Sequence, residues 1–318
     1  MRILTTALCA AAATSLVITV AAPSASAQTM PSGPPQSSFL AAKALTLVQP
    51  DLMPVGVNDW SCRSQAHPRP VVLIPGTWSN AYDSFAGIAP ALKARGYCLF
   101  DFNYGQSDAA IGKIPGVDAT GPVMQSAKEL QTFVSTVRAK TGAVKVDLLG
   151  WSQGGIVARG FLKFYSGADP SNPAKNQVQN VVTYGATNHG TTLSGLATLA
   201  QGTGLNPVIP STLGQAAVDQ EIGSAYLTDL NAGGDTEPGI TYTIIGSRAD
   251  EVTTPYTRTF LTAGPGATVH NVTLQDGCPI DLSDHVSGIY SPRVMALMAR
   301  GLGSSIPVLP CTPRVPAL

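Results

Sequence analysis

Short apolar runs alternate with longer stretches of helical spacing through most of the chain. Val71-Val72-Leu73-Ile74 is apolar at four successive positions and is stopped by Pro75-Gly76, which predicts a strand buried on both faces. Residues 84–94 have helical spacing and end at Gly96, before a strand over 98–102. Val123, Ala127, Leu130, Val134 and Val137 recur at intervals of four, three, four and three, an amphipathic helix that should end before Gly142. A strand over 144–149, a helix over 156–165, and strands over 178–184, 241–245 and 268–274 follow, and a helix over 286–299 closes the set. Strands alternating with helices of this length predict an α/β fold, with a mostly parallel central sheet and helices on both faces.

Two stretches stand outside the alternation. Residues 28–60, with prolines at 31, 34, 35, 50 and 54, read as an extended N-terminal segment. Residues 192–236 are rich in Gly, Thr and Leu and read as a small cap or lid over a single domain running from 61 to 318. There is no internal repeat.

The start of the chain sets the compartment. Arg2 precedes an almost wholly apolar stretch over residues 3–22, and Ala25-Ser26-Ala27 is a small-residue cleavage signal before Gln28. Residues 1–27 therefore read as a cleaved signal peptide rather than a membrane anchor, and the product as secreted, with no integral membrane segment once it is removed. The whole chain carries 19 basic and 19 acidic residues, and losing Arg2 with the leader leaves it near minus one. No basic stripe points to nucleic acid, and the mature chain is expected as a monomer. Cys9 leaves with the leader. Cys62, Cys98, Cys278 and Cys311 remain, an even count that implies two disulfides with three possible connectivities. Their two clusters favour Cys62–Cys98 and Cys278–Cys311, each closing about 35 residues and worth roughly 3 to 4 kcal/mol. No cysteine pair has metal-ligand spacing, and neither a metal nor another cofactor is expected.

Gly150-Trp151-Ser152-Gln153-Gly154 is the one Gly-x-Ser-x-Gly match in the chain. A predicted strand precedes it and a helix follows, the setting in which a nucleophilic serine stands exposed on a tight turn at the carboxyl end of a sheet. A base should follow an acid in the chain order of such sites. Of four histidines, His67 precedes the first strand, His189 comes before any later acid, and His270 lies in mid-strand. His285 sits between the last strand and the last helix, where a general base belongs. Asp250 follows the strand over 241–245 by a short loop and is the first choice of acid, with Glu251 and Asp276 as rivals. Asp281 and Asp284 stand too close to His285 in sequence. An oxyanion hole needs converging donors. Gln153 supplies a main-chain N–H, and Thr77, in the loop Pro75-Gly76-Thr77-Trp78, can give both its N–H and its hydroxyl.

These residues resemble the secreted lipases of the Candida antarctica lipase B type and their bacterial relatives. The resemblance rests on Leu-Ile-Pro-Gly-Thr at 73–77, Trp-Ser-Gln-Gly-Gly at 151–155, Ala-Asp-Glu-Val at 249–252 and Asp-His at 284–285, and it spans Cys62 to about Cys311. It implies an α/β-hydrolase fold, Ser152, Asp250 and His285 as a triad, Thr77 and Gln153 as the oxyanion pair, the same disulfide pairing, and Trp151 as a wall of the alcohol-side pocket. Gly150 stands where the yeast lipase has Thr. The longer C-terminal extension and third disulfide of that lipase are missing, so the pocket wall built there does not carry over. The turn Asn188-His189-Gly190-Thr191 resembles bacterial lipases, while the metal-binding acids of the calcium-dependent ones have no match. The expected activity is hydrolysis of lipid or other hydrophobic carboxylic esters, at a lipid–water interface among other settings. A polyester or cutin hydrolase is the alternative, and an acyltransferase or an inactive binding protein on the same scaffold stands behind both.

Overall fold

The computed structural model describes residues 30–202 and 212–317. The predicted leader, residues 1–27, lies outside them, as do residues 203–211 of the expected cap. Two two-residue strands, β1 (Ser32–Gly33) and β2 (Met53–Pro54), pair in parallel ahead of the main sheet. The main sheet is wholly parallel: β3 (Val71–Ile74), β4 (Leu99–Asp101), β5 (Val146–Trp151), β6 (Val178–Tyr184), β7 (Thr241–Gly246) and β8 (Thr268–Thr273), in the order β4-β3-β5-β6-β7-β8. This is the α/β architecture that the alternation predicts.

The strands divide their side chains between two cores. Val71, Leu73, Leu149, Trp151, Val182, Tyr184 and Ile245 face one side, where they pack with α1 (Phe39–Thr46), α2 (Ala81–Phe85), α3 (Ile88–Lys93) and α9 (Pro292–Gly301). Val72, Ile74, Leu148, Val181, Tyr242 and Ile244 face the other, against α4 (Val123–Thr141), α5 (Gln153–Phe164) and α8 (Ala225–Asn231). Successive strand residues point to opposite faces, so a strand covered on both sides is apolar throughout, as β3 is. α4 stops where the sequence says it must. Its C-cap, Gly142, takes φ 72° and returns its N–H to the Arg138 carbonyl.

Three expectations need correction. Residues 28–60 are not extended throughout, because α1 lies within them. Ser38 caps this helix by accepting from the Ala41 N–H, and Phe39, Ala42, Lys43 and Thr46 form its buried stripe. That stripe contains a lysine and a threonine, so polarity alone hides it, and the prolines lie before and after rather than inside. The helix over 84–94 is two helices, parted at Ala86-Gly87. The closing helix starts later than 286. A 3₁₀ turn, Ser287–Tyr290, comes first, and α9 begins at Pro292 under a Ser291 cap, because proline suits a first turn and Ser accepts from the free N–H groups there.

The stretch 192–236 carries α6 (Leu193–Gly202), α7 (Gln215–Asp219) and α8. Thr191 and Glu221 form a parallel bridge that ties the start of this stretch to the residues just after α7. The disulfides are Cys62–Cys98, beside the start of β4, and Cys278–Cys311, just after β8. The two edges of the sheet differ. The main chain at Val57 and Asn58 extends β4, and the Asn58 amide pairs with both the N–H and the carbonyl of Asp101. Along β8, whose Thr268, His270 and Asn271 are exposed, no described strand pairs with the outer side. Among the described residues no helix is long and apolar enough to cross a membrane.

Candidate active site

β5 ends at Trp151 and α5 begins at Gln153, so Ser152 alone makes the turn from strand to helix. It does so at φ 53°, ψ −122°, a backbone conformation that costs a side chain of order 1–3 kcal/mol. Main-chain bonds hold it there: Ser152 N–H to the Tyr184 carbonyl at 3.0 Å, and Gly155 N–H to the Ser152 carbonyl at 3.0 Å. The flanking glycines are required by space. A Cβ on Gly154 would stand 2.2 Å from the Ile74 carbonyl oxygen, and one on Gly150 would stand 2.8 Å from the Gly154 carbonyl carbon. The motif is thus a close crossing of β3, β5 and α5.

The loop after β8 brings His285 to this turn. His285 Nε2 lies 2.9 Å from Ser152 Oγ, and Nδ1 lies 2.9 and 3.1 Å from the two carboxylate oxygens of Asp250. A carboxylate only accepts, so the Nδ1 proton is assigned toward Asp250, which leaves Nε2 free to take the serine proton. Asp250 Oδ1 also accepts from Val252 N–H at 2.9 Å and Thr253 N–H at 2.7 Å. His285 has no exposed surface, and Ser152 retains only 1%.

The imidazole is fixed from behind. Trp151 Nε1 donates to the His285 carbonyl at 3.0 Å and the Tyr184 hydroxyl to the Asp284 carbonyl at 2.6 Å. Trp151 is itself fully buried, with Phe39 of α1 edge-on at 5.5 Å between ring centroids. Asp284 Oδ1 accepts from Val286 and Ser287, which shapes the turn after the histidine.

The other acids and histidines go elsewhere. Asp276 pairs with Arg248 at 2.7 Å on the surface. Asp281 accepts from Ser283 and Ser291. His67 stacks on Tyr97, and His270 is exposed in mid-strand. His189 Nε2 lies 3.1 Å from Asp235, which holds its pKa above the usual imidazole value against the opposing effect of burial. Glu251 makes no hydrogen bond to the imidazole, and its Oε2 is buried with no partner among the described residues. Burial, with smaller contributions from Asp284 and Asp250, pushes its carboxyl up to about 7 against the pull of its own main-chain N–H and of His285.

Thr77 follows the end of β3, and Gln153 opens α5 directly after Ser152. Neither the Thr77 N–H nor the Gln153 N–H donates to a protein acceptor among the described residues. Both side chains are buried. Two residues that sequence reading passes over complete the surroundings. Lys43, on α1, donates to the carbonyls of Trp78 and Gly116 at 2.8 and 2.9 Å and to Asp83 at 3.0 Å, so it pins the Thr77 loop. Gln220, just after α7, donates to the Thr77 hydroxyl at 2.8 Å. Lys43 looks like a surface lysine in sequence, and Gln220 carries no local signal at all.

A parallel sheet with helices on both faces and a strained serine turn at its carboxyl end is the α/β-hydrolase fold. The chain belongs to the class 2 lipases, whose family pattern matches residues 68–285. Among solved structures it is similar to Aspergillus fumigatus lipase B, with a TM-score of 0.58 and 20% identity over 77% of this chain and 53% of that one, so it spans about half that lipase's length. It is also similar to the mature form of a Bacillus licheniformis lipase, with a TM-score of 0.51 and 16% identity over 76% of this chain and 95% of that one.

Proposed function

We propose that the chain is a secreted serine ester hydrolase that cleaves lipid or other hydrophobic carboxylic esters through an acyl-enzyme. One observation carries this reading: the buried, continuous hydrogen-bond chain from Ser152 through His285 to Asp250. Ser152 Oγ attacks the ester carbonyl carbon while His285 Nε2 takes its proton. The negative charge that develops on the carbonyl oxygen meets the unused N–H groups of Thr77 and Gln153. The C–O bond to the alcohol then breaks, His285 returns the proton to the departing oxygen, and Ser152 keeps the acyl group. Water repeats the sequence and releases the acid. Asp250 holds the imidazole tautomer and steadies the imidazolium in both halves.

Trp151, sealed beneath the His285 loop, bounds the alcohol side of the site in this reading. Membership of the class 2 lipases supports a hydrophobic ester as substrate. The two disulfides suit an extracytoplasmic compartment.

The test is Ser152→Ala. It should fold, lose hydrolysis of p-nitrophenyl esters and triacylglycerol emulsions, and resist the organophosphonate that labels one serine per chain in the wild type. Undiminished hydrolysis by Ser152→Ala would end this reading.

A further inference from the structure

The Thr77 hydroxyl has two jobs open to it, since it can accept one hydrogen bond while donating another. The structure decides which partner it accepts from. Gln220 is fully buried, and all three of its amide bonds are made inside the protein. One N–H of Nε2 goes to the Ala216 carbonyl at 2.9 Å, the other to Thr77 Oγ1 at 2.8 Å, and Oε1 accepts from the Thr187 hydroxyl at 2.9 Å. Turning the amide over would set Oε1 against the Ala216 carbonyl, two acceptors face to face. The nitrogen therefore faces Thr77, and Thr77 Oγ1 is the acceptor in that contact. Its own hydrogen is left over, and it donates to no protein atom among the described residues.

We propose that Gln220 is a positioning residue that turns the Thr77 hydroxyl hydrogen toward the oxyanion, making it a third donor beside the two N–H groups. This rests on the reading of Thr77 and Gln153 as the oxyanion pair. A glutamine suits the position because its amide can give to Thr77 while keeping an acceptor for Thr187. An acceptor in place of Nε2 would draw the Thr77 hydrogen away from the substrate.

The backbone of Gln220 is anchored as firmly as its side chain. Its carbonyl accepts from Thr191 N–H at 2.9 Å, and Ile222 N–H returns to the Thr191 carbonyl at 3.1 Å. Thr187 and Thr191 flank the Asn188-His189-Gly190 turn, and Asn188 is tied to the Thr259 carbonyl at 2.7 Å. The turn after β6 thereby fixes the segment after α7, and that segment fixes the donor.

The experiment is a double-mutant cycle on Thr77→Val and Gln220→Leu, read as kcat and KM on a soluble p-nitrophenyl ester. Removing one oxyanion donor costs roughly a hundredfold or more in kcat. Thr77→Val should fall in that range. Gln220→Leu should lose about tenfold in kcat by releasing the donor without removing it, with KM and the pH profile of kcat/KM unmoved. In the Thr77→Val background Gln220→Leu should change kcat by less than about twofold, because there is no hydroxyl left to orient. Wild-type kcat in Gln220→Leu overturns the proposal, and so does an equal loss in both backgrounds, which would mark a purely structural role. Gln220→Met, closer in shape, serves for the same cycle if the leucine variant does not fold. Organophosphonate labelling of Ser152 in each variant separates the two readings. Labelling that persists while the cycle fails removes Gln220 alone, and absence of labelling in the wild type removes the serine mechanism beneath it.

Discussion

At the scale of single residues, the serine and histidine were legible because each sits at a fixed step of the fold's chain order. The acid was less sharply drawn: Asp250 was the first choice, but Glu251 and Asp276 also follow strands at the same end of the sheet. Only the fold separates them: Asp276 turns outward to Arg248, while Asp250 meets the imidazole. Asp250→Asn should therefore cost about ten-thousandfold in kcat, as loss of the acid does in protease triads, and Asp276→Asn should cost little. The reverse ranking, in steady-state kinetics on folded variants, would move the acid to the later strand. Glu251 gives a separate test through pH. Its carboxyl is raised from 4.5 to about 7 in the folded chain, chiefly by burial. The folded state thus holds a proton that the unfolded state has released, and stability falls as pH rises from about 4.5 to about 7. Glu251→Gln removes that loss. Its melting temperature should exceed the wild type's at pH 8 and converge with it near pH 4. Identical melting curves at both values would show that the buried carboxyl carries no such cost.

Among elements, legibility followed the uniformity of the surroundings. β3 was read to the residue because a strand between two cores is apolar for reasons its own composition reveals. α1 was missed because its buried face includes Lys43, whose ammonium is satisfied by Asp83 and two carbonyls from distant parts of the chain. No local pattern reports such partners. Burial raises the Asp83 carboxyl pKa against the opposing pull of Lys43. Lys43→Met would leave Asp83 buried without its cation, at a cost of about 3–5 kcal/mol. Urea unfolding should show that loss as a lower midpoint with an unchanged slope, and hydrolysis should weaken too, since the Trp78 carbonyl next to Thr77 loses its anchor. An unfolding free energy within about 0.5 kcal/mol of the wild type's would mean that the Lys43–Asp83 pair holds nothing.

For the whole molecule, the doubly covered sheet was predictable from alternation alone, but the way its two margins end was not. β4 is extended by Val57 and Asn58, whereas β8 faces outward with main-chain N–H and carbonyl groups that no described strand takes up. An open margin of this kind is a template for another copy of the same strand. What protects it is brevity and polarity: six residues, with Thr268, His270 and Asn271 exposed. Storage and concentration of the protein would therefore depend on a strand remote from the serine. His270→Val would add a β-branched apolar residue beside Val269 on that strand and should bring forward the onset of light scattering on heating, with ester hydrolysis per folded molecule unchanged. His270→Lys should delay that onset, because two approaching copies would set like charges against each other across the new pair. Equal scattering from all three proteins would place the route to self-association elsewhere.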